Sequence, residues 1–550
     1  MRGLVAADVR DPAAGGDDGT VSRRAGRRWP MTVVVVLLLG QMAVAMVTTA
    51  VRQTPTIDEP VYVGTAAVYL EERSLRYNPE HPPLGKLVIA AGVAVADPRL
   101  DTGFDGDQGE LGRHLLYESG NDPWRLMFRA RLPVIVLTLL FGLVVFAFAR
   151  ELAGAAGALA ALALYCLSPD VIAHGSLATL DVPAAGFVLT SVWLLWRARR
   201  RPRLRLPLAG VAFGAALATK MSVLPALPVL VVTAAVSVWC AGGRRRGAAA
   251  GAVVFALASV AVVWAVYLAV DPRLRWAPQQ PVPALRGLRG LLVELMPFPE
   301  PFRDGMRVQF GLETHPWEGF LFGRVYEGSL WYYLPAALLV KTPLGVLVLW
   351  AAGAVTVVAV RRLRPAAPYL LPAPAVLLAA AMYGSRDFGT RYAVFLPMFL
   401  TVAAGCVLVV RRRWVPAATA LLVAFVAASS LRTFPLYLPY SNEAFGGPSK
   451  TRFRLHDSNV DWGQDLGRLA DRLRERYRGE RIWLVYKGSG VPSYYGIDAA
   501  DPRRAPLAEV RGVLVVSDSA AAKATGRLAE LIDSSRPVDD VGHSITVYRR

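Results

Sequence analysis

The sequence predicts a mainly helical, polytopic membrane protein with a small α/β domain at its C-terminal end. Hydrophobic residues make up 54% of the 550 residues, and charged residues make up only 19%. Long apolar runs recur between residues 30 and 430, whereas the chain beyond them has a mixed composition. Soluble proteins of this length are not so apolar, so a membrane protein is the expected class.

Eleven apolar segments are candidates for membrane spans, because a helix needs about 20 apolar residues to cross the hydrocarbon layer. The segments are 30–51, 131–149, 152–168, 177–196, 206–220, 222–241, 248–270, 336–360, 367–383, 391–410 and 415–431. The first segment is too long for the apolar core of a signal peptide, and no clear cleavage site follows it. It is therefore predicted to be a retained anchor.

The net charge of +19 is explained by topology and does not require a nucleic-acid partner. Twenty arginines lie in six short connections, and these connections alternate along the eleven segments: 23–28, 150, 197–205, 244–246, 361–364 and 411–413. Such connections face the cytoplasm. We therefore expect a basic cytoplasmic tail (1–29), a membrane domain (30–430) with outer loops at 52–130 and 271–335, and an extracytoplasmic domain (431–550).

The C-terminal domain is predicted to alternate helices and short strands. Helical patterns occupy 464–477 and 520–534, and strand patterns occupy 481–488, 512–519 and 543–550. Within the outer loops, Leu84–Ala96 is apolar but too short to span, and 284–296 is amphipathic. The first is expected to be an interfacial or re-entrant helix, and the second is expected to lie on the membrane surface.

Charged motifs cluster in the predicted outer loops and near the ends of the spans. Asp58-Glu59 opens the first outer loop, and "EHPPLGK" follows at 80–86. Further motifs are "ATLDVPAAGF" with Asp181, "ALATKMSVLP" with Lys220, "YYLPAALLVKTP" with Lys341 and "GTRYAVFLPM" with Arg391.

In combination, these motifs resemble the polyprenyl-phosphate-dependent glycosyltransferases of the GT-C superfamily over residues 30–430. Protein O-mannosyltransferases (glycosyltransferase family 39) carry an Asp-Glu pair and a His-Pro-Pro-Leu-Gly-Lys run, which correspond to Asp58-Glu59 and 81–86 here. The lipid A aminoarabinose transferase carries Glu-Lys-Pro-Pro-Leu at the second place, and its glutamate matches Glu80.

The resemblance implies an integral membrane glycosyltransferase in the cytoplasmic membrane, with its active site on the extracytoplasmic side. It would move a sugar, with mannose as one candidate, from a polyprenyl-phosphate donor in the lipid to an acceptor hydroxyl on protein, glycan or lipid. It also implies direct displacement with inversion at the anomeric carbon, and Asp58 as the base.

Physical chemistry gives each motif a role in such a reaction. Transfer to a hydroxyl needs a carboxylate base, for which Asp58, Glu59 and Asp181 are the candidates. The departing phosphate needs cationic or hydrogen-bonding partners. Those candidates are His81, Lys86, Lys220, Lys341 and Arg391.

Structural roles remain open for the same residues. Thr56 to Glu59 fits a helix capping box and Pro60 suits a first helical turn, so both acids can simply begin a helix. Asp181 can be another helix-end carboxylate, and Lys220 and Lys341 can extend to a membrane interface.

A divalent metal such as zinc, manganese or magnesium is a further candidate. The resemblance to the lipid A enzyme implies it, because that enzyme pairs its matching glutamate with a histidine from a late outer loop. Glu80 and His315 are the corresponding pair, although His315 is also consistent with an ordinary surface loop. Protein mannosyltransferases do not clearly need a metal.

The run "HDSNVDWGQDL" at 456–466 resembles a segment of many bacterial relatives, but its role is not derivable from the sequence. Its acidic residues suggest a calcium loop, yet the glycine and terminal glutamate of an EF-hand are missing, so helix capping is favoured.

Two other function classes compete with the transferase. A transporter or flippase predicts charges within the spans and repeated halves, neither of which is evident. A non-catalytic assembly factor leaves the Asp-Glu and Glu-His-Pro-Pro motifs without a role.

Overall fold

The computed structural model describes residues 29–550, so the predicted cytoplasmic tail lies outside the described residues except for Trp29. In this part of the chain, the helices dominate and the strands are short. The helices of the membrane domain and its loops are α1 (Trp29–Arg52), α2 (Glu59–Glu71), α3 (Pro83–Ala96), α4 (Gln108–Tyr117), α5 (Pro123–Cys166), α6 (Pro169–Gly175), α7 (Asp181–Ala198), α8 (Pro202–Thr219), α9 (Leu227–Cys240), α10 (Arg245–Val270), α11 (Gly287–Glu294), α12 (Glu300–Glu313), α13 (Tyr333–Lys341), α14 (Leu344–Ala359), α15 (Ala367–Leu370), α16 (Pro372–Met382), α17 (Phe395–Gly405) and α18 (Val415–Thr433).

The protein is a multi-pass membrane protein. Within residues 29–550, six helical segments are long and apolar enough to cross a membrane, or seven if the bent pair α13–α14 forms one span. Helices underlie all eleven predicted segments, but the count of eleven is not confirmed. The shortfall has physical causes: α13 and α14 meet at 119°, and the apolar helix Phe395–Val409 is shorter than a typical span.

Helix α5 is long enough for two spans, because its 44 residues correspond to about 66 Å at 1.5 Å per residue. Its path breaks at Gly154, where φ is +77° and the backbone leaves the helical conformation. Glycine has no Cβ and therefore adopts a positive φ readily. The break lies four residues after Arg150, near the start of the predicted segment 152–168.

The first outer loop folds into the short helices α2, α3 and α4. The predicted short apolar helix at 84–96 is confirmed as α3. A Cβ on Gly92 would lie 1.9 Å from the carbonyl oxygen of Arg129, so α3 packs directly against the backbone of α5. This contact fixes the "EHPPLGK" motif, which leads into α3, relative to the membrane helices.

The second outer loop contains more structure than the sequence predicts. The amphipathic stretch is confirmed as α11, with Leu288, Leu291 and Leu292 exposed along it. Helix α12 follows, and an antiparallel hairpin comes next, formed by β1 (Glu318–Leu321) and β2 (Arg324–Glu327). The hairpin was not predicted, because its strands have only four residues each.

The C-terminal region forms a five-stranded mixed sheet in the order β4-β3-β5-β7-β6. Strands β3 and β5 are parallel, whereas β7 runs antiparallel to both β5 and β6. The elements are α19 (Leu466–Arg476), β3 (Ile482–Val485), β4 (Ala499–Ala500), β5 (Val513–Ser517), α20 (Asp518–Ala522), α21 (Gly526–Asp533), β6 (Arg536–Val541) and β7 (Ile545–Arg549).

The predicted elements of this domain are present, with two differences. The expected helix at 520–534 is divided into α20 and α21 near Gly526, whose φ is +51°. The edge strands β4 and β6 were missed, because β4 has only two residues and β6 contains Pro537 and two aspartates.

Candidate active site

Asp58 lies at the start of α2 and contacts a cation from a distant part of the chain. Its Oδ2 is 2.5 Å from Nη1 of Arg391, which lies in a short 3₁₀ turn (Thr390–Ala393) before α17. The Asp58 side chain is 27% exposed, whereas that of Arg391 is 9% exposed. Asp58 is therefore a carboxylate that a substrate can reach, and it forms an ion pair with the nearly buried guanidinium of Arg391.

A second carboxylate–cation pair lies beside the first. Asp181, at the start of α7, forms an ion pair with Nζ of Lys220, which follows α8. The ring of Tyr392 connects the two pairs, since Lys220 Nζ lies 5.3 Å and the Arg391 guanidinium 5.0 Å from its centroid. The structure thus brings Asp58, Asp181, Lys220 and Arg391 into one cluster.

Glu59 does not join this cluster, and its contacts indicate a structural role. It is the first residue of α2, so the predicted capping box from Thr56 to Glu59 is not formed. Its side chain is fully buried, and its oxygens accept hydrogen bonds from Arg131 at 2.6 and 2.7 Å. The backbone N–H groups of Thr56 and Ala178 donate to the same carboxylate. Burial opposes ionisation, but the Arg131 charge and these bonds keep the Glu59 pKa below its usual value. A role in holding the loop fits this geometry better than proton transfer.

His81 lies on the loop before α3, near the cationic side of the cluster. Burial and the charges of Lys220 and Lys86 lower its pKa well below its ordinary value. Its Nδ1 is buried and has no hydrogen-bond partner among residues 29–550. The ring is therefore neutral at physiological pH and can serve an anion only as a hydrogen-bond donor.

The structure does not bring Lys86 and Lys341 to the cluster. Lys86 is fully buried, and its ammonium donates to the backbone oxygens of Asn78 and His81 at 2.8 and 2.7 Å. Lys341 donates to the carbonyl oxygens of Leu438 and Asn459. Both ammonium groups donate to backbone carbonyls, and Lys341 also pairs with Asp170 at 3.6 Å. The phosphate contact of these two lysines stays a prediction.

Residues 35–273 match the family model described as dolichyl-phosphate-mannose-protein mannosyltransferase. The matched segment includes Asp58, the "EHPPLGK" motif, Asp181 and Lys220, and the expected resemblance is confirmed. The protein is a membrane glycosyltransferase. The match gives no support to the transporter alternative.

Two solved structures are similar to this glycosyltransferase. The apo structure of ArnT from Cupriavidus metallidurans has 16% sequence identity and a TM-score of 0.47, and the alignment covers 95% of this chain and 98% of that chain. The Pmt1-Pmt2 protein O-mannosyltransferase complex of S. cerevisiae has 17% identity and a TM-score of 0.35, with 44% of this chain and 33% of that chain covered. No curated protein sequence matches the chain.

The two residues predicted to hold a metal, Glu80 and His315, each have other contacts in this glycosyltransferase. The carboxylate of Glu80 accepts hydrogen bonds from Gln108 and Gln280, and the His315 ring packs against Trp317. Among the described residues, no three His, Cys, Asp or Glu side chains form a group that would hold a metal ion. The metal therefore stays a prediction.

The glycosyltransferase also contains site residues that sequence reasoning missed. Tyr62 lies one turn after Asp58, and burial together with the nearby charges of Asp58 and Asp181 raises its pKa well above the ordinary value. Tyr392 is the ring between the two cations. The sequence offered two signals for these residues. Tyr62 lies one helical turn from a candidate base, and Tyr392 directly follows a candidate phosphate partner.

In the segment 456–466, the predicted helix capping is wrong for Asp465. This residue precedes α19, but its side chain caps no backbone N–H of that helix. Its carboxylate instead accepts a hydrogen bond from Ser544 Oγ at 2.6 Å and pairs with Arg468.

Proposed function

We propose that the protein transfers a sugar from a polyprenyl-phosphate donor to an acceptor hydroxyl on protein, glycan or lipid, with Asp58 as the general base. The observation that carries this proposal is the cluster of two carboxylates and two cations. Asp58 is its most exposed member, with 27% of the side chain accessible, against 6% for Asp181. Exposure suits the group that must meet the acceptor hydroxyl.

The reaction forms one bond and breaks one bond. The acceptor oxygen attacks the anomeric carbon, the bond from that carbon to the phosphate oxygen breaks, and the configuration inverts. Asp58 takes the hydroxyl proton, and polyprenyl phosphate leaves with the bonding electrons. Lys220 and Arg391 lie where they can stabilise the charge that develops on the phosphate.

Unused donors in the cluster support an anionic ligand. The Nε of Arg391 and the Nδ1 of His81 are buried and have no hydrogen-bond partner among the described residues, and Nδ1 is a donor in the tautomer that carries its proton there. Leaving a buried donor unpaired is costly, at about 1–3 kcal/mol for each group. Phosphate oxygens would supply acceptors for both groups, because each phosphate can accept several hydrogen bonds.

The proposal also places the cluster on the extracytoplasmic side of the cytoplasmic membrane. The arginine-rich connections support this orientation through the positive-inside rule. A reporter enzyme fused after Arg550 and active only outside the cytoplasm would agree with it. Activity of the reporter in the cytoplasm would place the whole site on the wrong side.

Donor specificity tests the proposed reaction. Purified protein is incubated with polyprenyl-phosphate mannose and with other polyprenyl-phosphate sugars, and the released polyprenyl phosphate is measured. We expect turnover with a lipid-linked donor and none with a nucleotide sugar alone. Robust transfer from a nucleotide sugar in lipid-free detergent would refute the proposed donor class.

A further inference from the structure

The segment 456–466, here called the docking segment, connects the C-terminal domain to the loop that carries Asp58. The backbone N–H of Thr54 donates to the carbonyl of Gln464, and that of Ile57 donates to the carbonyl of Trp462, both at 3.0 Å. The second bond lies directly before Asp58. The docking segment therefore fixes the backbone from which the proposed base projects.

Trp462 also holds the cation that faces this base. Its ring lies 4.3 Å from the guanidinium carbon of Arg391, which is closer than the 5.0 Å between that carbon and the ring of Tyr392. Trp462 is 1% exposed, and the Arg391 side chain is 9% exposed. A guanidinium over an indole face gains most when water is excluded from the contact. Trp462 thus supports both partners of the Asp58–Arg391 contact, one through its backbone and one through its ring.

The docking segment is itself anchored on both sides. Towards the membrane helices, Lys341 donates to the carbonyl of Asn459, and the Asn459 amide donates to Tyr333 Oη at 2.9 Å. Towards the sheet, the carboxylate of Asp461 accepts from the backbone N–H of Ser519, in α20. Trp462 is therefore held in place by contacts from both domains.

The internal geometry of the segment fixes Trp462 further. The N–H of Trp462 donates to Oε1 of Gln464 at 2.7 Å, and Nε2 of Gln464 donates to the carbonyl of Val460. These bonds hold the turn in which the indole projects toward Arg391.

We propose that Trp462 is a positioning residue of the transferase, and that the C-terminal domain completes the active site by holding Arg391 against Asp58 through it. This inference rests on the proposed function, because it gives the C-terminal domain a part in that same reaction. It also assigns a role to the docking segment, which the sequence left unexplained.

The kinetic test compares aromatic and aliphatic replacements. We expect Trp462→Leu to lower kcat by about 10–100-fold per folded protein, because small displacements of catalytic groups have effects of this size. Trp462→Phe keeps an aromatic face and should restore most of the loss. Trp483 is equally buried, but it lies in β3 and stacks on Arg481. The matched control Trp483→Leu should therefore leave kcat per folded protein unchanged.

A double-mutant cycle separates positioning from general stability. In an Arg391→Lys background, Trp462→Leu should cause almost no further loss, because the contact it removes has already been weakened. Equal losses in both backgrounds would show that Trp462 acts independently of Arg391 and would overturn the inference. Should Trp462→Leu not fold, Gln464→Ala, which frees the Trp462 N–H, enters the same cycle with the same expectations.

Chemical labelling provides a readout that does not depend on any donor. Arg391 is modified with phenylglyoxal in the intact protein, and the peptide that contains it is quantified by mass spectrometry. Labelling should be several-fold faster in Trp462→Leu than in the wild type, and close to the wild-type rate in Trp462→Phe and Trp483→Leu. Identical rates in all variants would refute the proposed hold on Arg391. If the wild type transfers no sugar, the proposed function fails, while this labelling still decides the contact.

Discussion

Replacing Asp58 with asparagine removes basicity while keeping most other properties of the side chain. Asparagine has the same size, and its amide oxygen can still accept a hydrogen bond from Nη1 of Arg391, which lies 2.5 Å from the carboxylate. Asp58 is the residue that precedes the first turn of α2, a position where asparagine and aspartate are equally favourable. What the variant loses is the ability to take a proton.

The expected loss of turnover follows from this difference. General base catalysis contributes about 10²–10⁴ in rate, so kcat should fall at least about 100-fold. The Asp58 side chain is 27% exposed, and ion pairs that contact water add little to stability. The Arg391 charge also keeps the nearby carboxylates of Asp181 and Asp457 as partners. Expression and the thermal unfolding midpoint should therefore remain close to those of the wild type.

The assay measures release of polyprenyl phosphate per monodisperse protein, with Asp58→Asn, Asp181→Asn and Glu59→Gln compared under one donor. Near-normal turnover in Asp58→Asn together with an inactive Asp181→Asn would assign the base to Asp181. An Asp58→Asn protein that unfolds early would instead show that the Arg391 contact is mainly structural.

Three further outcomes follow from other parts of the structure. Glu59→Gln should destabilise the fold by about 3–5 kcal/mol, because it leaves a buried guanidinium without its charge partner; an unchanged unfolding free energy would contradict this. If Glu80 and His315 share a metal, Glu80→Gln and His315→Ala should each lower the bound metal, measured by elemental analysis, and a fully active metal-free protein would exclude that site. Burial raises the pKa of Asp461 to about 7, above about 3.9 in the unfolded chain, so its contribution to stability is present at low pH and is lost as the pH rises towards 7. The unfolding midpoint of Asp461→Asn should therefore fall less than that of the wild type between pH 5 and pH 8, and parallel curves would refute the assignment.

The elements that sequence reasoning located are those with a local signal. The anchor 30–51 and the span 248–270 follow from uninterrupted apolar runs, and α3 follows from an apolar run too short to span. The pairing of Glu59 with Arg131 was not predictable in the same way, because 72 positions separate the two residues. Nothing around Arg131 distinguishes it from the many arginines that mark the topology.

The lysines illustrate why residue type alone did not predict which side chains join the cluster. Lys86, Lys220 and Lys341 all occupy motifs that match the family resemblance, yet only Lys220 pairs with a carboxylate of the cluster. The other two point at backbone carbonyls that the loops present to them. Whether a lysine donates to a backbone carbonyl or pairs with a carboxylate depends on the path of another loop. Composition and motif spacing do not determine that path.

The pairing of each cation with a carboxylate is consistent with the charge changes of the proposed reaction. Before transfer, Asp58 and Asp181 balance Lys220 and Arg391, and the phosphodiester donor adds one negative charge. During transfer, the phosphate gains a second negative charge while Asp58 loses its own by accepting the acceptor proton. The total charge of the cluster therefore stays constant, which matters in a nearly buried site where an uncompensated charge is costly. Protonation of Asp58 also releases Arg391 from its carboxylate when the leaving phosphate needs a partner. Because Asp58 contacts the same cation that later binds the leaving phosphate, removal of the acceptor proton is coupled to departure of the phosphate. The contact between Trp462 and Arg391 keeps this cation in place during both steps.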